Sequence, residues 1–149
     1  MKNPKLFLFI FLSLSLNSIN AQNIWCGGTP GHETSWNIAK NWSENRVPDW
    51  TRNVVIPDVS TCSGYYPVID CEVEPIAHLE IQSNATLTVL SEGKLIIDGD
   101  STFDTGITLL GDLIVEGDLE ILNTALSAID NLNGNPVYNQ KMYTNLEKQ

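Results

Sequence analysis

The feature that most restricts what this chain can become is a short alternation repeated along its second half. Leu79 and Ile81, Leu87 and Val89, Leu95 and Ile97, Ile107 and Leu109, Leu113 and Val115, and Leu119 and Ile121 are aliphatic pairs at spacing two. A period of two puts both members on one face of a strand, so each segment offers a narrow apolar face and implies no helix. Between the pairs the same punctuation returns, as Gly93-Lys94-Leu95-Ile96-Ile97-Asp98-Gly99 and as Gly111-Asp112-Leu113-Ile114-Val115-Glu116-Gly117. Ala85-Thr86-Leu87-Thr88-Val89 is a degenerate copy with alanine in place of the first glycine. Glycine tolerates positive φ, so these positions are expected to bend the chain repeatedly between short strands. Short strand, bend, short strand is the pattern of a β-solenoid.

An antiparallel β-meander or sandwich is the competing fold, and the Asp98-Gly99 step is a legitimate hairpin signal. Hairpin strands usually run about 5 to 6 residues, however, whereas the apolar part of each segment here is nearer three. Hairpin sheets also need a second layer that this stretch does not obviously supply. The reading is therefore an all-β chain with a short parallel β-helix over 71–122. At about 20 residues per rung this stretch allows two or three turns, the minimum for a solenoid, so both ends need covering. Residues 22–70, rich in Trp, Pro, Gly and Asn around the strand-like Val54-Val55-Ile56, are expected to cap one end. The other end falls to 123–149, where 124–132 fits a brief amphipathic helix or a last strand and 141–149 reads as a polar tail.

The first 21 residues have the order of a secretory signal peptide, with Lys2 and Lys5 ahead of the apolar run from Leu6 to Leu16 and cleavage expected after Ala21. That run falls short of the roughly 20 residues that span a bilayer, and no later stretch approaches that length, so no membrane span is expected. Removal of Lys2 and Lys5 leaves 18 acidic residues against 6 basic ones, a formal charge of −12. Nucleic acid is excluded as a partner, because a phosphate backbone selects clustered Lys and Arg and here they are few and scattered. Localisation is accordingly expected to be secreted, periplasmic or at the cell surface.

Three cysteines in an oxidising compartment permit one disulfide, and sequence alone does not choose among the pairings. Cys62 with Cys71 is expected because it closes a short loop around Gly64, Tyr65, Tyr66 and Pro67. Cys26 would then be buried or pair with another chain. No Cys-x-x-Cys occurs, and His32 and His78 are the only histidines, which argues against a zinc site.

Flat aromatic faces pair with apolar sugar faces, so Trp50, Tyr65 and Tyr66 are the candidates for carbohydrate binding; packing is the competing role for every indole. Asp98, Asp100 and Asp104 could contribute to the 6 to 8 oxygens of a calcium ion, although the stretch matches no standard calcium loop. A solvated acidic edge that discourages end-to-end stacking is the plainer account of those acids. No other cofactor is implied. With two histidines and no Gly-x-Ser-x-Gly turn, no enzyme is expected. Asn41-Trp42-Ser43 and Asn84-Ala85-Thr86 are formal glycosylation sequons.

Trp25, Gly27, Trp36, Asn41, Trp42 and Pro48, followed by Asn53-Val54-Val55-Ile56-Pro57, Pro67-Val68-Ile69 and Asn84 to Val89 with Gly93, resemble the amino-terminal module of many secreted Bacteroidota surface proteins. The resemblance covers roughly 25–122 and implies a Trp-rich cap on right-handed parallel β-helix rungs. The reading is a non-catalytic secreted structural or adhesive module, with a glycan or protein partner at the cell surface, and open rungs would favour pairing with another copy. Larger relatives continue into further rungs, adhesin-like domains or a sorting domain. A truncated relative of a larger surface adhesin is thus an alternative, as is a carbohydrate-binding module.

Overall fold

A computed structural model describes residues 22–98 and 106–121 and, further along, the strand segments 130–131, 137–138 and 142–144. Strands dominate: β1 (Gln22–Ile24), β2 (Asn53–Ile56), β3 (Val68–Ile69), β4 (His78–Ile81), β5 (Thr86–Val89), β6 (Lys94–Ile97), β7 (Ile107–Leu109), β8 (Asp112–Val115), β9 (Asp118–Ile121), β10 (Asp130–Asn131), β11 (Val137–Tyr138) and β12 (Met142–Thr144). A single 3-10 turn, Ala39–Asn41, is the helical element among the described residues.

The strands form three sheets in the orders β1-β2-β4-β7-β10, β3-β5-β8-β11 and β6-β9-β12. Among the described residues every pairing between these named strands is parallel, against the antiparallel meander. From β4 to β12 the chain visits the first, second and third sheet in turn and then returns to the first. Like residues consequently stack: Leu79 on Ile107, Leu87 on Leu113, Val89 on Val115, Leu95 on Leu119 and Ile97 on Ile121. Both members of five of the six aliphatic pairs are buried, and in the sixth Leu119 is buried while Ile121 packs half-buried against the same core. That core is one continuous cluster running from the indoles Trp25, Trp36 and Trp42 to Leu119.

The glycines act differently from expectation. None of Gly93, Gly111 and Gly117 has positive φ. They are required by close approach instead: a methyl at Gly117 would collide with the carbonyl oxygens of Leu90 and Gly93, and one at Gly111 with those of Gln82 and Ala85. Successive bends lie directly on one another, with Asp118 N donating to Gly93 O at 3.0 Å and Asp112 N to Ala85 O at 2.9 Å. Only a residue without Cβ fits between backbones that close.

The segment expected to be a cap also supplies strands, since β2 pairs with β4 and β3 with β5. Its loops then close the sheet edges. Ser43 N donates to Ile24 O and Ser43 Oγ accepts from Ile24 N, both at 2.9 Å, along β1. Along β3, Val68 N donates to Thr34 O and Val68 O accepts from Trp36 N. Beside β6 the bridges Glu72↔Lys94 and Ile76↔Ile97 fill the same place. Towards the carboxy terminus, Met142–Thr144 lies within the stretch read as polar tail yet pairs with β9. Of the 124–132 stretch, read as a brief helix or a last strand, only Asp130–Asn131 is described, and it is strand.

Candidate functional site

The amino-terminal Trp-rich region, expected to be a cap and called so below, is built around Asn41, which is fully buried at the end of the 3-10 turn. Its Nδ2 donates to His32 O at 2.7 Å and Ser35 O at 3.0 Å, its Oδ1 accepts from Thr29 N at 2.9 Å, and its main-chain oxygen accepts from Cys26 N and Gly27 N. With both amide hydrogens engaged and no exposed surface, Asn41 is not a glycan acceptor in the folded chain. Asn23 repeats the device beneath β1, donating to Arg46 O at 2.7 Å and accepting from Glu44 N at 3.3 Å. Sequence reading marked Asn41 as a formal glycosylation sequon and gave no sign that its side chain ties three loop segments together.

Trp25, Trp36 and Trp42 form an edge-on triplet, with ring centroids 4.9 Å apart between Trp25 and Trp42 and 4.7 Å between Trp36 and Trp42. Trp42 Nε1 donates to Trp36 O and Trp25 Nε1 to Tyr65 O, both at 2.7 Å, while Trp36 Nε1 is buried without a partner. All three indoles are about 1 to 2% exposed, which takes them out of any stacking platform.

The three carbohydrate candidates are not brought together. Trp50 is 66% exposed at the tip of a turn whose Arg52 N donates to Asp49 O, and Asp49 Oδ1 accepts from Thr51 N and Thr51 Oγ1. The Thr51 hydroxyl, followed by its backbone N–H and by Arg46 and Arg52, holds the Asp49 carboxyl below the usual aspartate range. That turn leads into β2. Tyr65, 46% exposed, sits against Trp25, which pairs beside the far end of β2. A four-residue strand spans ~13 Å, so Trp50 and Tyr65 do not share a flat surface. Tyr66 is half-buried and points its hydroxyl at Asp58 Oδ1, 2.9 Å, and Asn84 O, 2.8 Å. Burial, then the Asp58 carboxylate, pushes the Tyr66 phenol up.

Of the calcium candidates, Asp98 is exposed just after β6, and Asp100 and Asp104 lie outside the described residues. Among the described residues no three His, Cys, Asp or Glu side chains are grouped to hold a metal. A shallow cleft of about 390 Å³ lies at the edge of the third sheet, lined by Asn37, Glu72, Val73, Glu74, Pro75 and Ile96. Beside it Lys94 Nζ stands 3.3 Å from Glu120 and 3.8 Å from Glu72, and the Glu120 carboxylate is the main cause that raises the lysine. This ladder of acid, base and acid was missed in the sequence because its members are 22 and 26 residues apart and meet only by stacking.

The Cys62–Cys71 bridge is not formed; all three thiols are free and exposed. Cys71 instead faces Asn37, whose Nδ2 donates to its Sγ at 3.2 Å, while Cys62 lies against Val59 O at 3.4 Å. Strand β3 and the bend after it carry the second cysteine towards the third sheet, so proximity in sequence does not become proximity in space.

Neither a family model, a curated protein nor a solved structure matches the chain. Among the described residues no helix is long and apolar enough to cross a membrane.

Proposed function

We propose that this chain is a non-catalytic, exported structural or adhesive module, a short right-handed parallel β-helix of the kind carried by Bacteroidota surface proteins. The observation that carries the reading is the commitment of the interior to packing. The chain circulates through three parallel sheets around a continuous aliphatic ladder, and three of its four indoles are spent closing one end. Such a unit works as a rigid spacer or a scaffold for a surface contact, and its acidity keeps it soluble.

The test is a titration of intrinsic tryptophan fluorescence in the purified chain with a panel of soluble polysaccharides and, separately, with calcium. Buried indoles should give blue-shifted emission that none of these additions changes saturably. Release of reducing sugar from any member of the panel would instead make the protein an enzyme and overturn the reading.

Exposure of Trp50 on a braced turn favours a second reading, a carbohydrate-binding module in which one indole stacks on a sugar ring. A saturable quench that disappears in Trp50→Ala and persists in Tyr65→Ala would put that reading first.

A further inference from the structure

Two loops far apart in sequence meet at the surface of the cap. The 25–28 segment leaves β1 and is fixed from one side by Asn41 O, which accepts from Cys26 N at 2.8 Å and Gly27 N at 3.1 Å. From the other side it meets the 62–65 segment. Trp25 Nε1 donates to Tyr65 O at 2.7 Å. A Cβ on Gly27 would stand 2.6 Å from Tyr65 O and 3.2 Å from Ser63 Oγ, and one on Gly28 would stand 3.2 Å from Ser63 Cβ. Both glycines have positive φ, so the two backbones are pressed together where a side chain would hold them apart. The 62–65 segment is itself tightly turned, with Cys62 N and Gly64 N both donating to Val59 O. One cysteine precedes the contact on each loop, Cys26 next to Gly27 and Cys62 next to Ser63. Both thiols reach solvent.

We propose that Cys26 and Cys62 are a disulfide pair that forms when the protein meets an oxidant, fastening the cap loop to the loop between β2 and β3 and leaving Cys71 as the single thiol. The Cys26 thiol is pushed up first by burial and then by the charge of Cys62. Cys71 shows no such neighbour, and its thiol is pushed up by burial and by Asp70, with Asn37 opposing. Tyr65, Ser63, Gly27 and Gly28 already hold the two loops in contact.

A small-molecule disulfide such as oxidised glutathione balances the step. One protein thiolate attacks a glutathione sulfur, the S–S bond of glutathione breaks, and one glutathione thiolate leaves. The second protein thiolate then attacks the cysteine sulfur of that mixed disulfide and expels the other glutathione. The protein loses two electrons, oxidised glutathione gains two, and the two thiol protons end on two molecules of reduced glutathione. The pairing stands on loop geometry and holds whether or not the module is adhesive.

The test uses the full chain, incubated with oxidised glutathione, alkylated and digested without reduction by a protease that cuts before aspartate. Cleavage before Asp49, Asp58, Asp70 and Asp98 puts each cysteine on its own peptide, so mass spectrometry reads the pairing directly. A Cys26 peptide joined to the 58–69 peptide is the expected product. A 58–69 peptide joined to the 70–97 peptide, a Cys26–Cys71 link, or three separate glutathione adducts would each overturn the proposal. Oxidation should also raise the thermal midpoint by roughly 10 °C, equally in Cys71→Ser and not at all in Cys26→Ser. Should Cys26→Ser fail to fold, the wild-type peptide map decides alone.

Discussion

At the scale of single residues, the cap depends on polar groups more than its tryptophan content suggests. Asn41 satisfies three backbone N–H groups through Oδ1 and its main-chain oxygen and two carbonyls through Nδ2, all at a site with no access to water. Asn41→Ala leaves Thr29 N, His32 O and Ser35 O without that partner, and unmade buried hydrogen bonds cost about 1 to 3 kcal/mol each. A loss of about 3 kcal/mol in urea unfolding is expected, well beyond that of Asn84→Ala at the exposed sequon. Acid sensitivity belongs to this scale too. Hydrogen bonds from Ser60, through its hydroxyl and then its N–H, and from Tyr66 hold Asp58 below the usual aspartate range, as Thr51 does for Asp49. A carboxyl whose folded pKa is depressed contributes stability above its unfolded value, and that contribution is lost as pH falls through the folded one. Unfolding midpoints should therefore fall below about pH 4. In the double variant Asp49→Asn, Asp58→Asn the acid limb should be flatter, and an unchanged limb would assign the acid loss to other carboxylates.

At the scale of elements, the strands were legible and the bends were legible for the wrong reason. An aliphatic pair at spacing two has one way to be buried, so β4 to β9 could be read from the six pairs and all six became strands. The glycines were equally visible, but a lone sequence shows only that Cβ is absent, not whether the cause is φ or a neighbouring backbone. Parallel stacking supplies the cause, because each bend rests on the one before it. The exposed cleft and the Glu72, Lys94, Glu120 ladder were illegible on the same ground, since they exist only once β6 lies between β9 and the 72–76 segment. Trp50 and Tyr65 could be named as aromatic candidates, yet nothing local said that they would sit at opposite ends of β2. Gly117→Ala tests the stacking directly. It forces a methyl into the carbonyls of Leu90 and Gly93, and the expected cost is about 2 kcal/mol or more, by analogy with overpacked interiors. Gly31→Ala, where φ is positive but no atom lies within 4 Å, should cost less, about 1 kcal/mol, from backbone strain alone. Were the two equal, backbone conformation rather than contact would be the glycines' role.

At the scale of the whole molecule, the question is whether the tryptophan cap and the stacked strands are two bodies or one. The sequence texture changes near Asp70 and invites two, but the structure runs through it: β2 and β3 belong to the same sheets as β4 and β5, and the indoles share a cluster with Leu87 and Leu113. In a stack whose units contact mainly their neighbours, damage at one level propagates only as far as the interfaces couple. The continuous core here makes that coupling strong. Far-UV circular dichroism reports chiefly on the strands, whereas fluorescence reports chiefly on Trp25, Trp36 and Trp42 in the cap. For the wild type both signals should give one midpoint, as a two-state transition requires. Leu113→Ala removes a buried side chain from β8, remote from the indoles, and should cost about 2 to 5 kcal/mol. If cap and strands unfold together, that variant lowers the fluorescence midpoint as far as the dichroism midpoint. A lowered dichroism midpoint beside an unmoved fluorescence midpoint would instead show a cap that stands without the levels above it, and the chain would then be a folded amino-terminal unit carrying a separable stack.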